Sequence, residues 1–185
     1  MTLPDTTRII QETQAWLQHA VIGLNLCPFA KSVFVKNQIA YQVSAATDAT
    51  TLLDDLKSAL TKLAAMPASA IDTSLLIHPQ VLHDFLDYND FLYQADDLLH
   101  DLKLNGVLQI ASFHPDYQFA GTADDDISNC TNRSPYPMLH LLREDSLDQA
   151  ISAKPEWEEI VKHNIATMNS LGWTGWEDLQ KKIHE

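Results

Sequence analysis

Four short strand-like runs alternate with longer helical patterns along this chain, and that interleaving narrows the fold to helices packed on a shared sheet. The most constraining run is Thr73 to Ile77, where Leu75, Leu76 and Ile77 follow one another without polar alternation, as a strand buried on both faces requires. Ile39 to Ser44 alternates apolar and polar residues, and Gly106 to Phe113 and Met138 to Arg143 read as the remaining strands. Helical spacing is expected over Thr6 to Gly23, with Asp5 as N-cap behind Pro4, and over Asp48 to Ala65, with Leu52, Leu53, Leu56, Leu60 and Leu63 on one face. Gln80 to Leu102 reads as one or two helices, and a capped helix runs from Asp145 or Ser146 to Ser152. A helical tail, Pro155 to Lys182, carries Trp157, Trp173 and Trp176 and breaks at Gly172. The order α-β-α-β-α-β-loop-β-α-α predicts an α/β fold, an α+β sandwich whose central sheet of about four strands is covered by helices. A length of 185 residues fits one domain, residues 1–185.

Composition excludes several functional classes. With 45% hydrophobic and 20% charged residues, global disorder is not expected. A formal charge of −13 opposes any sequence-independent grip on nucleic acid or an anionic membrane, since each phosphate contact needs a cation. No apolar run approaches the roughly 20 residues that cross a bilayer. Met1 to Thr7 lacks the basic region of a targeting signal. Two cysteines, Cys27 and Cys130, make no multi-bridge framework, which points to a reducing cytoplasm. Five glycines and the lack of a Walker loop, dinucleotide fingerprint or nucleophile elbow exclude a glycine-rich phosphate cradle.

Two of the strands end in the same dipeptide, His78-Pro79 and His114-Pro115. In open sheets, sites gather at the carboxyl ends of strands, and a histidine there can act as acid, base or metal ligand. Asp116, two residues beyond His114, is placed to orient that ring and raise its basicity. The competing reading is that each histidine caps its strand on a neighbouring carbonyl. If His140 pointed to the same edge, His78, His114 and His140 would make a three-histidine site for a divalent metal. Cys27 precedes Pro28; with proline at the first helical position, Cys27 would be the N-cap, where the helix dipole favours a reactive thiolate. Otherwise it is a small buried hydrophobe, and Cys130 is its one candidate resolving partner.

The long loop from Asp116 to Pro137 is expected to be an ordered lid or binding loop, since it contains Tyr117, Phe119, Tyr136 and the prolines Pro135 and Pro137. It carries Asn132, Arg133 and Ser134, and Arg143 follows on the next strand. Arginine offers a planar fork for carboxylate or phosphate, so these residues with Tyr117 are the candidate anion-binding set. The alternative partner for Arg133 is the acidic run Asp124-Asp125-Asp126, which could itself take a divalent cation. The acids Asp84, Asp87, Asp90, Asp96 and Asp97 read as a solvated helix face.

Four stretches carry a resemblance: Val21-Ile22-Gly23-Leu24-Asn25-Leu26-Cys27-Pro28-Phe29-Ala30, Asp87-Tyr88-Asn89-Asp90-Phe91-Leu92, Gln109 to Phe119, and Thr131-Asn132-Arg133-Ser134-Pro135-Tyr136-Pro137. Together they resemble a bacterial family known as domain of unknown function 1415, over nearly the whole chain. The resemblance implies a stand-alone, soluble, single-domain protein and carries no activity, cofactor or catalytic residue with it.

The residues support two expectations. The first is an enzyme or binder of a small anionic molecule, with His114, Asp116 and Cys27 as catalytic groups and no cofactor beyond a divalent metal. The second is a non-catalytic module that docks a partner protein through exposed Tyr117, Phe119 and Tyr136.

Overall fold

A computed structural model describes residues 5–152 and 157–184. The central strand β2 (Thr73–Ile77) is buried along its whole length, which explains its uninterrupted apolar run. It lies between β1 (Ile39–Val43), which is parallel to it, and β4 (Met138–Arg143), which is antiparallel. The second edge strand, β3 (Leu108–Phe113), pairs antiparallel with β4, giving the order β1-β2-β4-β3. The expected four-stranded sheet and α+β class are therefore observed.

Side-chain alternation divides the core in two. Leu75 and Ile77 face a layer made by α1 (Thr6–Trp16) and α6 (Trp157–His184), where Trp16, Met168, Trp176 and Ile183 are buried. Leu76, Leu139 and Leu141 face the opposite layer, α3 (Ala49–Ala65) and α4 (Phe85–Asp101), with Leu52, Leu56, Leu60, Tyr88 and Phe91. Each fully buried leucine of this kind stabilises the fold by about 1.5–3 kcal/mol. The predicted leucine face of α3 is the buried one, except that Leu53 is only partly covered. Asp48 caps that helix by accepting the Thr51 N–H at 2.9 Å, and Asp84 caps α4 through Leu86 and Asp87. The five acids of the α4 region are all exposed, as a solvated face should be.

Three local departures from the sequence reading matter. Past Trp16 the first helix widens into a π-helical turn, Leu17–Ile22. Gly23 closes it with an N–H bond to the Gln18 carbonyl at 3.0 Å, and a Cβ at Gly23 would lie 2.3 Å from the His19 carbonyl oxygen. A short helix, α2 (Ala30–Val35), begins two residues later than the Cys27-Pro28 signal suggests. The loop from Asp116 to Pro137 contains a 3-10 turn, Ile127–Asn132, whose Ile127, Asn129 and Cys130 are buried. α5 (Glu144–Ser152) follows β4 directly. Gly172, at φ 65 and ψ 176, breaks α6 as expected. Pro155 and the side chain of Trp157 lie outside the described residues.

The topology brings functional candidates to one rim. Met138, at the start of β4, pairs with both Ile77 and Phe113, so the carboxyl ends of β2 and β3 meet there. His78 and His114 come next in sequence on that rim, and their N–H groups bond the carbonyls of Pro137 at 3.0 Å and Asn132 at 3.3 Å.

Candidate functional site

Both rim histidines are fully buried, and each is held by the backbone. His114 Nδ1 accepts the backbone N–H of Asp116 at 3.0 Å, which leaves Nε2 as the protonated nitrogen, donating to the Leu82 carbonyl at 3.1 Å. The expected carboxylate–imidazole contact from Asp116 is thus replaced by a main-chain bond, because the tight turn after Pro115 folds the Asp116 N–H back over the ring. Leu82 holds a left-handed backbone, φ 58, in presenting that carbonyl. His78 Nδ1 donates to Val81 O at 3.1 Å, and its Nε2 is buried without a partner among the described residues. Burial pushes the His78 pKa down to about 4 and lowers that of His114, the latter against the pull of the Leu82 carbonyl, Asp116 and Asp84. Tyr88 stacks on the His78 ring, packs at a tilt against His114 and clamps the rim: its hydroxyl donates to Met138 O at 2.9 Å and accepts the Phe113 N–H at 3.0 Å.

His140 does not join them. It pairs in register with Leu75 and so points into the α1/α6 layer, whereas His78 and His114 pack with Tyr88 on the α3/α4 side. Thr73 Oγ1 donates to Leu141 O at 2.7 Å and accepts from His140 Nε2 at 2.6 Å, and burial holds the His140 pKa near 4. The three histidines therefore form no common site. Among the described residues no three His, Cys, Asp or Glu side chains gather as a metal centre.

Arg143 also lies elsewhere. It pairs with Leu108 at the far end of the sheet, and its Nη2 donates to the carbonyls of Leu63, Met66 and Ile71 at 2.7, 2.6 and 3.1 Å. It caps the C-terminal end of α3. Cys27 is half-buried against the α1/α6 core and is not a helix N-cap: that position belongs to Phe29, and Cys27 O accepts the Ala30 N–H at 3.3 Å. The Cys130 thiol is buried and pushed up to about 11 by burial, and neither cysteine is in a disulfide.

The loop residues converge as the sequence suggests. Arg133 Nε donates to Tyr117 O at 3.2 Å and Nη2 to Asp124 O at 3.0 Å, and the guanidinium lies 5.8 Å from the Trp173 ring centre. Its contact with the acidic run is to a carbonyl. Among the described residues no carboxylate lies within 4.0 Å of it, in contrast to Arg8 on Glu12 and Arg143 near Asp72. Asn132 Nδ2 donates to Ser112 O at 3.2 Å and Ser134 Oγ to Tyr136 O at 2.7 Å, which fixes the loop on either side. Arg133 borders a hollow of about 290 Å³ with Pro115, Ser134, Trp176, Gln180 and His184. The three loop aromatics are half-buried rather than displayed: Tyr117 packs edge-on to Phe119 and against Phe85, and the Tyr136 hydroxyl is tied to Glu12.

Behind this hollow lies a polar cluster that sequence reasoning missed. Glu12 is buried on α1 and accepts from the Tyr136 hydroxyl, from Arg8 Nε at 2.8 Å and from His184, whose Nδ1 is 3.4 Å away. Burial opposes ionisation of Glu12, yet the hydrogen bonds from Tyr136, Arg8 and His184 outweigh it and hold its carboxyl below the usual carboxylate range. The signal was present: Ile9, Glu12, Thr13 and Trp16 share one helical stripe, and a carboxylate on a core-facing stripe needs partners. No periodicity of the tail indicated that His184 would return to α1.

A family model described as "Protein of unknown function (DUF1415)" matches residues 8–178. No curated protein and no solved structure matches the chain. No helix among the described residues is long and apolar enough to cross a membrane.

Proposed function

The chain belongs to the family of proteins of unknown function DUF1415, and we propose that it binds a small anionic molecule, a carboxylate or phosphate, in the hollow beside Arg133. The observation that carries this reading is the state of that guanidinium. On a chain of charge −13, it is the arginine that has no carboxylate within reach among the described residues, and it borders an open hollow. Two main-chain carbonyls and the Trp173 ring hold it in place, so little side-chain entropy is lost when a ligand arrives. Its remaining N–H groups supply the fork that pairs with two oxygens of an anion. Gln180 and His184 add further polar contacts at the same hollow.

For a reaction on the bound anion, the geometry favours His184 over His114 as the group that moves a proton. His184 lines the hollow with its side chain 46% exposed and rests Nδ1 on Glu12, while the His114 ring is buried with both nitrogens engaged. His114 serves the site through its backbone, which bonds Asn132 and Ser134 on either side of Arg133. The docking of a partner through Tyr117, Phe119 and Tyr136 has no comparable support, because those rings are spent on internal contacts.

Calorimetric titration of the full chain with inorganic phosphate, pyrophosphate, citrate and a nucleoside monophosphate tests the reading. At least one should bind saturably, and Arg133→Gln and Gln180→Glu should each weaken it tenfold or more. No binding across the panel, or equal affinity in both folded variants, would overturn it.

A further inference from the structure

The outer edge of β1 faces a second and larger hollow. Pairing on the inner side is fixed at both ends of the strand: Gln38 O accepts the Thr73 N–H at 3.2 Å, and the Ser44 N–H donates to Ile77 O at 2.8 Å. Residues of a parallel strand alternate in the side to which their peptide groups point, so those of Ile39, Tyr41 and Val43 face away from β2. Among the described residues nothing else bonds them. Natural edges are usually blunted by proline, lysine or a bulge, and Ile39–Val43 has none of these.

Ile39 and Tyr41 line a hollow of about 520 Å³, whose other wall includes Gln11, Gln14 and Gln18, with Asn37 at one end. No hydrogen bond engages those four amide side chains among the described residues, and the lining contains no carboxylate, ammonium or guanidinium group. A primary amide offers one acceptor and two donors, which complements a peptide group, and the wall stands beside a row of unpaired main-chain groups. A sugar-sized molecule would use the amides alone; a strand uses both features.

We propose that this edge is a strand-addition site, at which an extended segment of a partner protein pairs with Ile39, Tyr41 and Val43 and places an uncharged side chain in the amide-lined hollow. The strand spans five residues, so the segment covers a similar length. A charge of −13 on each copy opposes pairing of two copies of this chain and favours a segment flanked by lysine or arginine.

A library of random seven-residue segments flanked by lysines, displayed and panned against the full chain, tests this. Enriched peptides should be uncharged at alternate positions and should slow amide exchange of Ile39, Tyr41 and Val43 at least tenfold. Tyr41→Pro removes one outward N–H without touching the β2 ladder, and it should weaken these peptides at least tenfold. Gln18→Lys, at an exposed position, should do the same and guards against misfolding of the proline variant. The proposal is overturned if nothing is enriched, if enriched peptides ignore both folded variants, or if a second copy of the chain protects these amides.

Discussion

The indole Nε1–H of Trp16 donates to the main-chain carbonyl of Arg133 at 2.9 Å, joining residues 117 positions apart. Helix α1 thereby fixes the backbone of a residue that lines the hollow. Trp16→Phe removes that donor from a site only 2% exposed and leaves the carbonyl without its partner. A loss of about 1–3 kcal/mol in denaturant unfolding is expected, with weaker anion binding in the fraction that remains folded. Unchanged stability would mean that the bond contributes nothing.

Tyr88 carries a comparable load at the rim, since its hydroxyl bridges Met138 O and the Phe113 N–H. Tyr88→Phe keeps the ring packing on His78 and His114 but removes the hydroxyl that bonds two main-chain groups. Urea unfolding should show a cost of about 1–3 kcal/mol, and amide exchange at Phe113 should accelerate first.

Stability should fall in mild acid. His78 and His140 have pKa values near 4 in the folded protein against 6.5 for an ordinary histidine, because burial disfavours the charged ring. Above pH 6.5 both states hold these rings neutral, and no stability depends on them. Between 6.5 and about 4 the unfolded chain takes up protons that the folded chain refuses, so stability is lost as pH falls. The slope is about 1.4 kcal/mol per pH unit for each histidine. Urea midpoints taken in steps through that window should decline, and His78→Gln, if folded, should flatten the decline. A midpoint that rises with acid would contradict the assignment.

The π-helical turn depends on an absent methyl group. Gly23→Ala would press a Cβ to 2.3 Å from the His19 carbonyl, so the turn must shift. Thermal unfolding should report a loss of about 1–3 kcal/mol, whereas the wild-type backbone at this position, φ −62, carries no strain of its own.

Thiol chemistry separates the two cysteines. Cys130 is 1% exposed with its pKa pushed up to about 11, so it should react with a thiol reagent only when the protein opens. Half-buried Cys27 should react first. Mass mapping of the labelled peptide checks the order, and early labelling of Cys130 would refute it.

The fold was legible wherever local pattern and burial agree. The continuous apolar run of β2, the leucine stripe of α3 and the break at Gly172 each encode their environment directly. The shared rim of His78 and His114 followed from strand ends alone, but the face on which each ring lies did not. Face depends on register, and His140 falls opposite them because it pairs with Leu75. Arg143 looked like a companion of Arg133 by sequence proximity, yet β4 carries it the length of a strand away, roughly 17 Å. The Glu12–Tyr136–His184 cluster unites three distant segments, and only the carboxylate within the Ile9–Trp16 stripe betrayed it.

The most direct test of the anion site is a nitrogen-edited NMR titration of the full chain with pyrophosphate, following the arginine Nε–H and tryptophan indole resonances. The account predicts saturable shifts of Arg133 Nε–H and of the Trp173 and Trp176 indoles with one common affinity, all abolished in Arg133→Gln. Shifts confined to Arg8, or none at all at Arg133 while another region responds, would contradict it.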